Sequence, residues 1–201
     1  FTLYVGLELL TFAAMPLVCL DGSRATLEAA LRYLMFALLG SVLYLLGVAL
    51  IYGATGTLDI VLLRDRVTAT PPVILAIAVM TVGLLAKTAL LPLHLWLPPA
   101  HAGAPAAASA ILSALVVKGS FILLLRLWFG VMAGVPMPDA AQILAGLGAA
   151  AILLGSVAAL RETRLKLLVA YSTVAQIGYL FLMFPLLAAV PGTSDVAAKA
   201  W

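Results

Sequence analysis

Six long apolar segments dominate this chain. They cover residues 1–20, 33–53, 72–91, 106–128, 140–160 and 167–190, and residues that favour turns separate them. Each segment is close to the roughly 20 residues that a helix needs to cross the hydrocarbon layer. Strands of a membrane barrel would instead alternate over stretches of about ten residues. The pattern predicts an all-α, polytopic bundle of about six transmembrane helices in a lipid bilayer.

Composition and charge exclude several classes of protein. The 201 residues are 65% hydrophobic and only 9% charged, whereas soluble domains carry roughly 25% charged residues. The net charge of +3 comes from scattered residues, so no basic cluster indicates binding to nucleic acid. The single cysteine, Cys19, has no partner for an internal disulfide and belongs to no metal-binding spacing. We therefore expect no metal site and no nucleic-acid partner.

Three ionisable residues lie inside the apolar segments rather than in connections or near segment ends. They are Glu8, Lys87 and Lys118. A charged group in hydrocarbon costs at least a few kcal/mol, and such groups usually face a bundle interior or a wet path that carries ions. Burial and neighbouring charges together decide whether such groups hold a proton. One acid and two bases in this setting predict a proton relay.

A helix break is predicted near Pro92. Proline frees a backbone carbonyl inside a helix, and interrupted backbone at membrane depth is tolerated only where protein or water surrounds it. His94 follows seven positions after Lys87, and His101 precedes the next apolar segment. Imidazole groups pass protons in both directions, so both histidines are candidate relay residues. Two histidines with no neighbouring acid make a poor metal site.

Structural roles remain open for the same groups. Glu8 could lie near a water interface or pair with a base on another helix, and Lys87 could extend its long stem to the headgroups. Lys118 lies twelve residues into its segment, which is deep for that explanation. The histidines could be hydrogen-bonded interfacial residues. A polar patch in the last segment could hold water or pack against a helix; it comprises Tyr171, Ser172, Thr173 and Gln176.

Several motifs together resemble one superfamily of membrane proteins. The region from Lys87 to Arg126 carries PLHLWLP, HAGAP and a second lysine before LLLR; YVGLELLTFAAMPLV precedes it, and RLKLLVAYSTVAQIGYLF follows it. These runs resemble the antiporter-like, proton-conducting subunits of respiratory complex I, multisubunit sodium/proton antiporters, membrane-bound hydrogenases and formate hydrogenlyase. The resemblance covers nearly the whole chain.

The resemblance implies that the chain, which opens on Phe1, is an internal fragment. It would form one domain over residues 1–201, equivalent to the fifth through tenth helices of a subunit of about fourteen. By matching positions, Glu8 would be the glutamate of the fifth helix, Lys87 the lysine of the interrupted seventh, and Lys118 the lysine of the eighth. In the family these residues form a polar axis across the membrane domain.

The family also implies the surroundings of the chain. We expect a multi-pass protein of the inner (cytoplasmic) cell membrane, with other membrane subunits as partners and protons, or alternatively sodium, as the transported ions. No catalytic residue, cofactor or metal is expected in the chain itself. Any oxidoreductase activity, of the NADH-quinone type for example, would belong to the whole complex, so the sequence leaves open whether the protein counts as an enzyme.

The chain departs from the family pattern at three places. LPPAH, with Pro99, replaces the more usual LPDAH, and APAAASA replaces APTPVSA, so a carboxylate and a hydroxyl are missing near the break. Ser113 stands where some members carry a histidine. Two other functions stay open: a sodium/proton exchanger built on the same helices, and a structural membrane scaffold for a catalytic partner that no longer transports ions.

Overall fold

The structure is a computed structural model that describes residues 2–132, 135 and 137–189. In these residues every regular element is helical. The helices are α1 (Thr2–Val18), α2 (Arg24–Thr55), α3 (Ile60–Arg66), α4 (Pro71–Thr88), α5 (Leu97–Gly103), α6 (Ala106–Val131), α7 (Pro138–Arg161), α8 (Leu165–Phe181) and α9 (Met183–Ala189). A 3₁₀ turn, Leu93–Trp96, precedes α5.

Five stretches of this described chain are long and apolar enough to cross a membrane. They are Arg24–Thr55, Pro71–Gly103, Ala106–Val131, Pro138–Arg161 and Leu165–Leu187. The first predicted segment forms the 17-residue α1, which is at the lower limit for a spanning helix. The predicted all-helical membrane fold is confirmed, with five long helices and one short one in place of six of similar length. The predicted end at residue 190 falls outside the described residues.

The second helix begins nine residues before its predicted start. Ser23 is the N-cap of α2, and its hydroxyl accepts a hydrogen bond from the backbone N–H of Thr26 at 3.3 Å. An ion pair of 3.0 Å between Arg24 and Glu28 follows in the first turn. Capping and pairs four residues apart both stabilise a helix end that is not apolar. The apolar pattern alone therefore located the membrane segment but not the solvent-exposed first turns.

Close packing of α2 against α4 depends on glycine. A Cβ atom on Gly40 would lie 2.6 Å from the carbonyl oxygen of Gly83, and 3.1 Å from Cγ of Lys87. Gly148 and Gly178 approach each other similarly where α7 meets α8. Small residues let membrane helices approach until their backbones touch. The pair on α2 and α4 also creates the space along which the Lys87 side chain lies.

The last helices share an aromatic cluster with α6. Phe121 and Phe181 meet edge to face with ring centroids 5.3 Å apart, and Trp128 meets Phe184 at the same distance. Phe184 also stacks on Phe181. Such pairs add to the stabilisation from burial alone. The cluster attaches α8 and α9 to the helix that carries Lys118.

Candidate functional site: a buried ion pair beside a broken helix

The predicted helix break is confirmed, and the chain itself supplies partners for some of the backbone groups that the break frees. Helix α4 ends at Thr88, and Ala89 follows with a positive φ of 55°. The carbonyl of Leu85 accepts from the N–H groups of Ala89 and Leu90. Buried carbonyls that lack a partner cost free energy comparable to a lost hydrogen bond. The bonds at this end allow α4 to stop inside the bundle, one residue after Lys87.

Glu8 and Lys87 form an ion pair between α1 and α4. The Nζ atom of Lys87 lies 2.7 Å from Oε1 of Glu8, and the two side chains are only 3% and 14% exposed. Lys87 therefore does not extend to the headgroups, and Glu8 takes the pairing role that the sequence had left open. Truncating one member of such a pair is strongly destabilising, because it strands the other charge in a dry setting.

Ser41 of α2 completes this site, and sequence reasoning missed it. Its hydroxyl lies 2.5 Å from Oε1 of Glu8 and 2.8 Å from the carbonyl oxygen of Ala37. A narrow gap adjoins Lys87, and its lining includes Thr11, Tyr33 and Trp96. The only sequence signal was a single serine in a largely apolar stretch of α2. That signal is weak, because serine is common where membrane helices pack together.

Lys118 does not join the pair in this structure. Its side chain is exposed, and within the described residues it forms no hydrogen bond or ion pair. No described helix covers its face of α6, so the burial of Lys118 that its depth along the segment predicts stays a prediction. The next residue, Gly119, faces Leu7 and Leu10 of α1. Lys118 therefore lies next to the interface between α6 and α1, the helix that carries Glu8, but its side chain is not part of that interface.

Helix α6 widens to π-type turns on both sides of Lys118. These turns span Leu112–Val116 and Arg126–Val131. Within the first, the hydroxyls of Ser113 and Thr173 are 2.9 Å apart, so this part of the polar patch on α8 packs against α6. Gln176 of the patch is exposed instead. Single π turns inside α-helices occur often at functional sites.

The two histidines occupy different settings. His94 is half-buried and lines an open cavity of about 390 Å³ together with Tyr171 and Arg161. His101 is 1% exposed, and neither of its ring nitrogens has a hydrogen-bond partner among the described residues. The expectation of an interfacial, hydrogen-bonded role is therefore wrong for His101. A buried imidazole with two unpaired nitrogens is unusual in a folded protein.

Comparison with known proteins identifies the family. The family model described as NADH:quinone oxidoreductase/Mrp antiporter, transmembrane, matches residues 1–194. The chain belongs to this family. A curated relative, NADH-quinone oxidoreductase subunit N of Desulforudis audaxviator, is 41% identical over 186 residues. That match covers 90% of this chain and 37% of the relative. The chain is thus a multi-pass, antiporter-like membrane chain.

Solved structures share the same arrangement of helices. The respiratory complex I of Thermus thermophilus with bound aureothin matches with a TM-score of 0.76 and 31% identity, over 96% of this chain and 42% of that one. The Mrp complex of Dietzia sp. DQ12-45-1b matches with a TM-score of 0.82 and 28% identity, over 91% and 35%. The chain spans about two-fifths of the length of the curated relatives that it matches.

Proposed function

We propose that this chain is the proton-input half of a proton-translocating, antiporter-like subunit in a membrane complex of the NADH-quinone oxidoreductase type. It corresponds to the fifth through tenth helices of the longer protein. The observation that carries the proposal is the 2.7 Å contact between Glu8 and Lys87, almost completely shielded from solvent and adjacent to a helix break. Burying an acid–base pair costs free energy, and ionisable residues at membrane depth are usually functional. The presence of this pair therefore supports a role for charge at that depth.

The proposed mechanism is an electrostatically coupled relay of protons. When Glu8 is ionised, it holds the proton on Lys87. When a change in charge elsewhere in the complex draws Glu8 away or neutralises it, burial favours the uncharged amine and Lys87 releases its proton. His94 and His101 lie on the broken segment that follows Lys87 and pass that proton onward. Helix α5, which carries His101, packs against both α1 and α8.

Lys118 is the proposed next station. Its ammonium lies on a face of α6 that the described helices leave exposed, and we propose that other segments of the longer protein cover it there. The partners of the protein are then the other membrane subunits of the complex, and its location is the inner (cytoplasmic) cell membrane. The proposed role in the complex is transport, and the redox chemistry takes place in other subunits.

A double variant separates transport from a scaffold role. Glu8→Gln with Lys87→Met removes both charges while keeping similar side-chain volumes, so that no lone charge is left buried. We expect the full-length protein in its complex to assemble but to lose most of its proton flux, measured with a pH-sensitive dye in proteoliposomes. The matched control is Arg24→Gln with Glu28→Gln, which removes an exposed pair on α2. Undiminished proton flux in the Glu8→Gln, Lys87→Met variant would contradict the proton relay and would support a scaffold role.

Exchange of sodium for protons is the second candidate, favoured by the similarity to the Mrp complex. The same proteoliposomes discriminate the two ions. Proton flux that is independent of sodium between zero and high external concentration supports the proton relay. Flux that requires sodium, and that disappears in the Glu8→Gln, Lys87→Met double variant, identifies the exchanger instead.

A further inference from the structure

The hydroxyl of Ser41 has more polar neighbours than one hydrogen atom can serve. Its oxygen lies 2.5 Å from Oε1 of Glu8 and 2.8 Å from the carbonyl oxygen of Ala37. A serine hydroxyl donates one hydrogen bond and accepts up to two. The hydrogen of Ser41 is therefore directed either to Glu8 or to Ala37, but not to both at once.

The protonation state of Glu8 decides between these two directions. An ionised carboxylate only accepts, so Ser41 then donates to Oε1 beside the ammonium of Lys87. A protonated carboxyl donates its own hydrogen to the Ser41 oxygen, and the hydrogen of Ser41 then turns to the Ala37 carbonyl. Only the proton that Glu8 gains is transferred, and the serine O–H bond stays intact. Ser41 thus satisfies Glu8 in both of its charge states.

We propose that Ser41 is the positioning residue that keeps the Glu8 carboxyl beside Lys87 both before and after the pair changes its protonation state. This inference rests on the proposed function. Of the two triggers in the relay, the one that concerns Ser41 is the neutralisation of Glu8: Lys87 then gives up its proton, and its ammonium no longer holds the carboxyl. A carboxyl with no other partner would rotate away or draw in solvent, whereas the hydroxyl on the neighbouring helix α2 retains it for the next cycle.

Other titratable groups also act on Glu8. Lys87 faces it from α4, Tyr33 from α2, and Tyr4 from α1 itself. Helix α6, which also packs against α1, carries Lys118 with its side chain exposed, and α5 carries the buried His101. Ser41 differs from all of these because a serine hydroxyl is not a titratable group. Removing it changes the hydrogen bonding of Glu8 without removing a charge.

Ser120 provides a matched control on α6. Both serines are buried, and the hydroxyl oxygen of each lies within hydrogen-bond distance of the carbonyl four residues earlier, at 2.8 Å for Ser41 and 3.0 Å for Ser120. Ser120 has no carboxylate among its described partners. Substitution of either serine by alanine therefore removes one buried hydroxyl and one bond to the helix backbone, and only the change at Ser41 also affects Glu8.

The test is the pH dependence of proton flux in the full-length protein within its complex. A hydroxyl that donates to a carboxylate favours the ionised form. We expect Ser41→Ala to move the acid limb of the profile, where flux falls as the pH is lowered, to higher pH by up to about one unit. The reason is that the lost hydrogen bond to the charged carboxylate is stronger than the lost bond to the neutral carboxyl. Ser41→Thr, which keeps the hydroxyl, should restore the limb, and Ser120→Ala should leave it unchanged. Identical profiles for Ser41→Ala and Ser120→Ala would overturn the proposal.

An infrared titration makes this inference testable apart from the proposed function. The carboxyl stretching band of Glu8 is assigned by its loss in Glu8→Gln, and its midpoint is followed against pH in wild type, Ser41→Ala and Ser41→Thr. A midpoint that moves up in Ser41→Ala alone supports the positioning role even if flux proves independent of Glu8. A midpoint that is the same in all three proteins rejects it, whatever the flux measurements show.

Discussion

The indole Nε1 of Trp96 donates a 2.9 Å hydrogen bond to the carbonyl of Ala86, across the break that ends α4. Both residues are buried, and Ala86 directly precedes Lys87. The ring of Trp96 also packs on that of Tyr33, with centroids 4.8 Å apart. The Trp96 side chain thus provides a hydrogen-bond partner for a carbonyl in the last turn of α4. This bond lies next to the ion pair of Lys87 and Glu8.

We expect Trp96→Phe to destabilise the protein by about 1–3 kcal/mol more than the change in ring size alone, because the buried Ala86 carbonyl loses its partner. Trp128→Phe is the control. Trp128 is also buried, but it donates to the Thr81 hydroxyl, which, unlike a carbonyl, still has its own hydrogen to donate when the indole is lost. Thermal unfolding of the purified full-length protein in detergent compares the two. Equal losses would show that the bond to Ala86 has no special importance.

The buried ion pair of Glu8 and Lys87 predicts which of two variants is the more stable. Lys87→Met leaves the Glu8 carboxylate in a nearly dry site, and breaking a buried pair in this way typically costs about 3–5 kcal/mol. Adding Glu8→Gln removes the stranded charge, so the double variant should be more stable than the single one. Urea or thermal unfolding of both variants measures the difference. A double variant that is less stable than Lys87→Met would contradict the pair as the structure shows it.

Gly40→Ala should push α2 away from α4. The new methyl group would lie 2.6 Å from the Gly83 carbonyl oxygen and close to the stem of Lys87, and overpacking of this kind typically costs about 1–3 kcal/mol. Gly53→Ala, on the same helix, adds a methyl group that meets nothing within 4 Å. That control should be neutral or stabilising, since alanine favours helix by up to about 1 kcal/mol over glycine. Unfolding midpoints of the two variants test the contrast.

A substitution of His101 distinguishes a packing role from a relay role, because the two roles predict different changes in stability and in proton flux. Both ring nitrogens lack partners among the described residues, and replacing an unsatisfied buried polar group by an apolar one of similar shape is nearly neutral or stabilising. We therefore expect His101→Phe to retain stability while proton flux in proteoliposomes falls several-fold. Loss of stability with unchanged flux per folded molecule would assign His101 to packing.

Local features of the chain were predictable because they depend on few neighbours. The length and apolarity of each segment locate the membrane helices, and Pro92 indicates the break wherever the rest of the chain lies. The first turns of α2 were missed because their stability comes from a serine cap and a surface ion pair. Charge at depth singled out Glu8 and Lys87, since hydrocarbon makes any such residue costly.

The sequence alone determined a helical membrane protein with a broken helix and ionisable groups at depth, because hydrophobicity and backbone hydrogen bonding act locally. Only the tertiary structure decided that Lys87 pairs with Glu8, 79 residues away, that Ser41 shares the same carboxylate oxygen, and that Lys118 stays exposed. Those outcomes depend on how closely two helices approach and how each is rotated about its axis. Contacts between segments far apart in the sequence, such as that of Gly40 with Gly83, set both, and a local sequence pattern does not predict them.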